Sequence, residues 1–290
     1  MAMNLQFDET YDLTKVIPFR ETGFLERCML RAMVPFYLPI ILWESYLRRR
    51  DRNPLHDGRR KLTGEKRIAI SKEYNFAKIK ATSRTLGVTI NEVMISALSM
   101  ATARLFKERG DEKNQRMRIA VPCNIRWKYY KTYDEVELEN KFAPMPIKIP
   151  LKTNVEEALT SSSRVSRDMK KSFAKIYTIY ALSVFIGLFV PTFMLKLGGE
   201  KMTKPFTMAF SNTPGILKKI KYKDSTTRGM TTSFICAGRV AISVGILSYA
   251  ETIQFSITAD TCVQEDPKEL RSRLEKAIDE LVALGESKKQ

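Results

Sequence analysis

From Ile176 to Leu195 the chain reads IYTIYALSVFIGLFVPTFML, a run without Asp, Glu, Lys or Arg. About 20 apolar residues suffice to span a bilayer as a helix, and Gly187 and Pro191 are both tolerated in spans. The same run fits a buried or interfacial helix. Tyr177, Thr178, Tyr180, Ser183 and Thr192 make it a mediocre span, and no other segment supports a multi-span topology. A second apolar stretch, Ala32–Trp43, is too short to cross a bilayer, and Pro35 and Pro39 argue against a long regular helix there. A chain built around two such stretches must bury them in its own fold, in a lipid surface, or in both.

The remaining pattern is that of an ordinary folded protein. Residues 1–25 are weakly patterned, and Arg48–Leu62 reads as a charged linker. Arg67–Ser71 suits a short strand. Phe76, Ile79, Ser83 and Leu86 follow helical spacing, with Gly87 as the stop. Thr89-Ile90-Asn91-Glu92 is a capping box, opening a helix with Met94, Ala97, Leu98, Ala101 and Leu105 on one face. Met117–Val121 reads as a buried strand, and Phe142–Leu151, broken by prolines, as an extended segment near a sheet edge. Asn154–Ala174 is expected to be helical.

Strands are expected again from Pro205–Ala209 into Ser211–Gly215, at Thr231–Ala237 and at Arg239–Leu247, while Lys218–Lys223 alternates like a lysine-protected edge. Thr252–Ala259 alternates cleanly, with Ile253, Phe255, Ile257 and Ala259 facing one way, as in a half-buried antiparallel strand. Asp266, Pro267 and Glu269 open a last helix as cap, first-position proline and box-closing glutamate. Its apolar stripe is Leu270, Leu274, Ala277, Ile278 and Leu281. The fold class expected is α+β, a mixed or antiparallel sheet with helices on one side.

Composition narrows the chemistry. The 290 residues can bury a core without staples. Cys28, Cys123, Cys236 and Cys262 lie far apart with no CxxC spacing, so neither a zinc site nor a disulfide framework is expected. His56 is the single histidine. Met1–Tyr11 is acidic and polar, so no secretory signal is expected. The net charge of +17, clustered at Arg48–Arg50, Arg59–Lys61 and Lys218–Lys223, suits anionic lipid, nucleic acid or a phosphorylated small molecule. A solvated lysine-rich surface is the plainer reading, and no nucleic-acid module signature appears.

Generic enzyme signatures are missing: no G-x-S-x-G elbow, Walker loop, GxGxxG or metal-ligand cluster. Five segments in order carry a resemblance instead. Asn91-Glu92-Val93 looks like an "N-D-V" block, with Glu92 replacing the aspartate. Val121-Pro122-Cys123-Asn124-Ile125-Arg126 is similar to "V-P-x-x-x-R". Leu138–Phe142, containing Asn140, is similar to "G-N-x-x-G", with Glu139 and Ala143 replacing the glycines. Ser211-Asn212-Thr213-Pro214-Gly215 matches "S-N-x-P-G". Ser248-Tyr249-Ala250 followed by Asp260 fits the closing strands. Over roughly residues 60–285 these segments resemble the wax ester synthase/diacylglycerol acyltransferase family of O-acyltransferases.

The resemblance implies one lobe, plus a remnant of the other, of the two-lobed fold of chloramphenicol acetyltransferase and the peptide-synthetase condensation domains. Residues 1–62 are then the remnant and linker, and 63–290 the C-terminal lobe. It implies transfer of a fatty acyl group from acyl-CoA to diacylglycerol or a long-chain alcohol, in triacylglycerol or wax ester synthesis. No cofactor or metal is expected, acyl-CoA being a substrate, and no nucleic-acid partner. The setting expected is the cytosolic face of the endoplasmic reticulum, the plasma membrane or a lipid droplet, with both apolar stretches lining or anchoring the entry for greasy substrates.

The family's HHxxxDG motif, whose second histidine is the general base, does not occur in the sequence. The start Met1-Ala2-Met3 resembles the helix after that motif, so the chain reads as a fragment whose first lobe lies upstream. It would then be inactive alone, or else a non-catalytic lobe binding lipid or a partner at a membrane surface. His56-Asp57-Gly58 has the wrong spacing for the motif, and His56 reads as a solvated loop histidine with catalysis only a weak alternative. Asn91, Arg126, Asn140, Ser211, Asn212, Pro214, Gly215, Ser248 and Tyr249 are the substrate-binding candidates. Ser211 or Asn212 would donate to a developing oxyanion, against the plainer role of Ser211–Gly215 as a strand-ending turn. Asn91 satisfies a helix donor or makes a contact between lobes. Arg126 holds a carboxylate or sits on the surface. Lys218–Lys223 attracts coenzyme A phosphates or guards a strand edge.

Overall fold

A computed structural model describes residues 22–47, 51–57, 61–126, 141–216, 218–222, 225–236, 238–263 and 266–289. The chain runs through α1 (Phe24–Leu42), a π-helical turn (Trp43–Leu47), β1 (Lys66–Ile70), β2 (Tyr74–Asn75), α2 (Phe76–Thr85), α3 (Ile90–Glu108), β3 (Arg116–Asn124) and β4 (Phe142–Pro150). Then follow α4 (Val155–Lys171), α5 (Phe173–Phe189), α6 (Thr192–Thr203), β5 (Met208–Thr213), β6 (Lys221–Tyr222), β7 (Ser225–Thr226), β8 (Ile242–Tyr249), β9 (Thr252–Asp260) and α7 (Pro267–Ser287).

The main sheet is mixed, in the order β1-β9-β8-β5-β3-β4, with β2 also on β9. β5 lies parallel to both β3 and β8, and the other pairings are antiparallel. β4 is an edge, as its prolines foretold. Pro144, Pro146 and Pro150 share one phase of the strand, and on an edge strand alternate N–H groups face away from the single partner.

The core fills the space between one face of this sheet and α2, α3, α4 and α7. The capping box of α3 forms as its sequence dictates: Glu92 N–H donates to Thr89 Oγ1 and Thr89 N–H to Glu92 Oε2. The apolar face read for α3 was too narrow, because Val93 through Thr102 are all buried. Its polar residues satisfy themselves locally; Ser96 Oγ donates to the Glu92 carbonyl and Ser99 Oγ to that of Pro150. The stripe of α7 is buried as expected. Asp266 caps it and Pro267 begins it, but Glu269 reaches Arg273 at 3.5 Å.

Several expectations are corrected. α1 runs straight through Pro35 and Pro39. At 100° per residue Leu30, Tyr37 and Ile41 share the inner face, and both prolines fall opposite, exposed, where water can satisfy the freed carbonyls. The helix read over Asn154–Ala174 is two helices: Asn154 caps α4, which ends at Ser172, and α5 leaves at 62°. Ile176–Leu195 is likewise divided, because Val190 precedes Pro191 and takes extended dihedrals. No single described helix is long and apolar enough to cross a membrane.

The supposed linker is docked over residues 51–57. Asp51 Oδ2 accepts from Arg118 N–H, Asn53 Nδ2 donates to Thr207 Oγ1, and Leu55 is buried. Of the strand expected over Thr231–Ala237, Ala237 lies outside the described residues, and residues 231–236 are coil lying on β8 and β9. They cover the polar face of β9, so that strand is buried on both sides. Among the described residues of Lys218–Lys223, Lys221–Tyr222 pairs with Ser225–Thr226 in a separate two-stranded sheet and not along the main one.

Candidate functional site

The end of β5 meets the first turn of α3. Asn212 Nδ2 donates to Asn91 Oδ1 at 3.5 Å, which joins two of the motifs read from sequence. Thr89, not Asn91, caps the helix. The next two motifs join as well: Gly215 N–H donates to Ser248 Oγ at 3.1 Å, and Ala250 N–H to the Ile216 carbonyl at 2.7 Å. Gly215 must be glycine, because a Cβ there would sit 1.7 Å from the Ser248 carbonyl oxygen. Pro214 is exposed beside it. Tyr249 is buried, and its hydroxyl accepts from Ile220 N–H and donates to the Thr227 carbonyl. It anchors the β6–β7 hairpin and is no surface for a substrate. Ala250 turns the chain from β8 to β9 at φ +49.

Alternation along β5 sends Ser211 and Asn212 to opposite faces. Asn212 points at α3. Ser211, with Thr213 Oγ1 at 3.4 Å, opens onto a cavity of about 470 Å³. That volume is in the range of small-ligand pockets. Ala120, Pro122 and Ala209 form its sheet wall with Pro144 and Pro146, the two alanines leaving the room. Across from them stand Ile41 of α1 and Ile179 and Leu182 of α5, so both apolar stretches supply walls. Met202 and Phe206 close one side, and Phe234, Ile235 and Cys236 form the roof.

The roof was not legible as such. Its backbone is held by hydroxyls of the sheet: Ser243 Oγ donates to the Phe234 carbonyl, Ser256 Oγ to that of Thr232, and Ser233 and Thr258 hydroxyls meet at 3.1 Å. Gly245 lets this segment lie close, since a Cβ there would stand 3.2 Å from the Thr232 carbonyl. The polar phase of β9, which by itself suits a solvated face, was the only signal. Burial pushes the Cys236 thiol up to about 11, against the opposing pull of Lys66.

His56 lies elsewhere. It is 5% exposed, and its Nε2 donates to the Lys204 carbonyl at 2.7 Å. It stands in a small recess with Leu62, Arg239 and Cys262, near the start of β5, and does not line the cavity. It is a buried structural histidine, not the solvated loop residue expected. Arg126 bonds Asn124 Oδ1 through its amide and guanidinium. Asn140 lies outside the described residues. Lys218 and Lys219 are exposed on the approach to the β6–β7 hairpin. Among the described residues no cluster of His, Cys, Asp or Glu could hold a metal.

Residues 139–282 match the family model described as the WS/DGAT C-terminal domain. The chain belongs to the wax ester synthase/diacylglycerol acyltransferase family. A Mycobacterium tuberculosis relative, named "Probable diacyglycerol O-acyltransferase tgs1", is 23% identical over 216 residues, which is 73% of this chain and 46% of the relative. The chain thus spans about half the length of such curated relatives.

Among solved structures, the wax ester synthase/diacylglycerol acyltransferase of Marinobacter aquaeolei VT8 superposes with a TM-score of 0.61 at 16% identity. That match covers 93% of this chain and 58% of the enzyme. The epimerization domain of tyrocidine synthetase B gives 0.56 at 9% identity, covering 95% and 62%. The fold of this acyltransferase-family chain is therefore that of the chloramphenicol acetyltransferase and condensation-domain lobes, as the motif order implied.

Proposed function

We propose that this chain is the C-terminal lobe of an O-acyltransferase that moves a fatty acyl group from acyl-CoA to diacylglycerol or a long-chain alcohol. The observation carrying this reading is the apolar cavity that reaches Ser211 of the S-N-x-P-G loop. A long hydrocarbon gains about 25 cal/mol for each Å² it removes from water there. With the tail inside, the thioester stands at Ser211, whose hydroxyl donates to the developing oxyanion. Asn91, Asn212, Gly215 and Ser248 hold that loop in shape. Lys218 and Lys219 meet coenzyme A phosphates.

The general base comes from a lobe carrying HHxxxDG, because His56 is bonded away from the cavity and ester formation needs a base with pKa near the working pH. Phe36 on α1, with Phe185, Leu188 and Phe189 on α5, is strongly exposed. These apolar side chains suit the cytosolic surface of a membrane or lipid droplet.

The test joins this whole chain, α1 included, to the HHxxxDG lobe of a relative and follows radiolabelled acyl-CoA into triacylglycerol and wax ester. Ester should form, and Ser211→Ala should lower kcat on the order of a hundredfold with KM little changed. An unaffected Ser211→Ala enzyme, or turnover by the present chain alone that survives His56→Ala, overturns the reading.

A further inference from the structure

Glu44 is the one charged side chain among the described residues that line this largely apolar cavity. It sits in the π-helical turn after α1, and Lys175 Nζ of α5 holds its Oε2 at 2.5 Å. The cavity runs along the sheet in register: Pro122 pairs with Pro144 near Ser211, and Ala120, beside Ala209, pairs with Pro146. From Ser211 back to Met208, the start of β5, is three residues, or roughly 10 Å at about 3.3 Å per strand residue, and Phe206 lies beyond that. At that far end a second void of about 50 Å³ lies against Arg118, Lys148 and Pro205. Three side chains line both spaces and therefore form the partition: Glu44, Pro146 and Phe206. Pro146 is fixed in a strand. Glu44 is fixed by its ion pair.

We infer that Glu44 sets the length of acyl chain the cavity accepts, an inference that rests on the acyl-binding reading above. A methylene occupies about what a water does, roughly 30 Å³. The main cavity thus holds roughly fifteen methylenes and the void beyond it roughly two. A longer tail must displace a carboxylate from its partner or press apolar carbon against a charged pair, and both are unfavourable in a partly buried site. The selected class is one of acyl groups with a sharp upper limit of length, and Glu44 is the specificity-determining residue.

The experiment uses the full chain and a series of saturated fatty acids of about eight to twenty carbons, each displacing an environment-sensitive fluorescent fatty acid. For the wild type, affinity should rise with length and then break. Glu44→Ala should move the break by about two to four carbons, while Glu44→Gln, which keeps the volume but loses the charge, should soften the break without moving it as far. The double variant Glu44→Ala/Lys175→Met removes the stranded ammonium and should shift the break like the single one, so the result does not depend on the single variant folding. An unchanged length profile in the alanine variants overturns the inference while leaving acyl binding intact. Failure of the wild type to bind any acid overturns the acyl-binding reading and this inference with it.

Discussion

The side-chain amide of Asn212 stands 3.5 Å from the Oδ1 of Asn91, so the end of β5 is tied to the first turn of α3 by a long, weak hydrogen bond. Each residue is held mainly by its own element. Asn212→Ala should cost about 1 kcal/mol, and the double-mutant coupling with Asn91→Ala should stay below about 0.5 kcal/mol. Urea unfolding of the four proteins checks this. Coupling above about 1.5 kcal/mol would mean the two motifs act as one unit.

Two glycines should respond with opposite signs. At Gly215 a methyl group collides with the Ser248 carbonyl, which is backbone and cannot step aside. Gly215→Ala should destabilise by about 2 kcal/mol or more and distort the Ser211 loop. Gly187, exposed within α5, has nothing within 4 Å of its would-be Cβ, so Gly187→Ala should stabilise by about 0.5–1 kcal/mol. Thermal denaturation of both variants reads the contrast.

The emptiness of the cavity depends on Ala209 and Ala120. Ala209→Leu fills it from the sheet side and should weaken fatty-acid affinity about tenfold, or about 1.4 kcal/mol, with little change in melting temperature. Cys236 reports on the same space. With its thiol at about 11 it holds far less thiolate at pH 8 than an ordinary cysteine, so it should alkylate much more slowly than exposed Cys28. Bound fatty acid should slow it further while leaving Cys28 unchanged. Mass spectrometry of the alkylated peptides decides this.

Asp260 closes β9 and is tied to the entry of β1. Burial alone would raise its pKa, but the Lys66 ammonium and the Thr63 and Cys262 amides outweigh it and hold the carboxyl far below the usual range. A depressed carboxylate contributes stability that is present above its unfolded pKa of about 3.9 and lost as pH falls toward the folded value. The wild type should therefore weaken progressively below about pH 4. Asp260→Asn should cost about 3–5 kcal/mol at neutral pH, because Lys66 is left partly buried without its counter-charge. Its urea midpoint should fall less steeply with acid than the wild type's. Parallel acid profiles would exclude Asp260 as the source.

What could be read from sequence was what neighbours in sequence decide. The Thr89–Glu92 box and the α7 stripe depend on residues a few positions apart, and each formed, as did β9 as a strand, although it is buried on both faces and not on one. Errors came where a distant partner decides. Pro35 and Pro39 forbid a helix locally, yet α1 survives because both face solvent while Leu30 and Ile41 turn inward. Residues 231–236 have strand-like composition, but hydroxyls of β8 and β9 take their carbonyls one by one and no ladder forms. His56 looked solvated within a charged stretch, and only the carbonyl of Lys204, far along the chain, draws it inside. For the site, the motifs located Ser211 and its loop, while the cavity's volume arises from two alanines on different strands, which no local pattern marks.

The segment over the cavity hangs from hydroxyl hooks on a slab whose own strands are fully laddered. Its backbone hydrogen bonds are few and independent, so it should loosen at a free energy well below that needed to melt β8 and β9. A greasy guest can therefore be traded through the top of the chamber while the slab beneath stays intact.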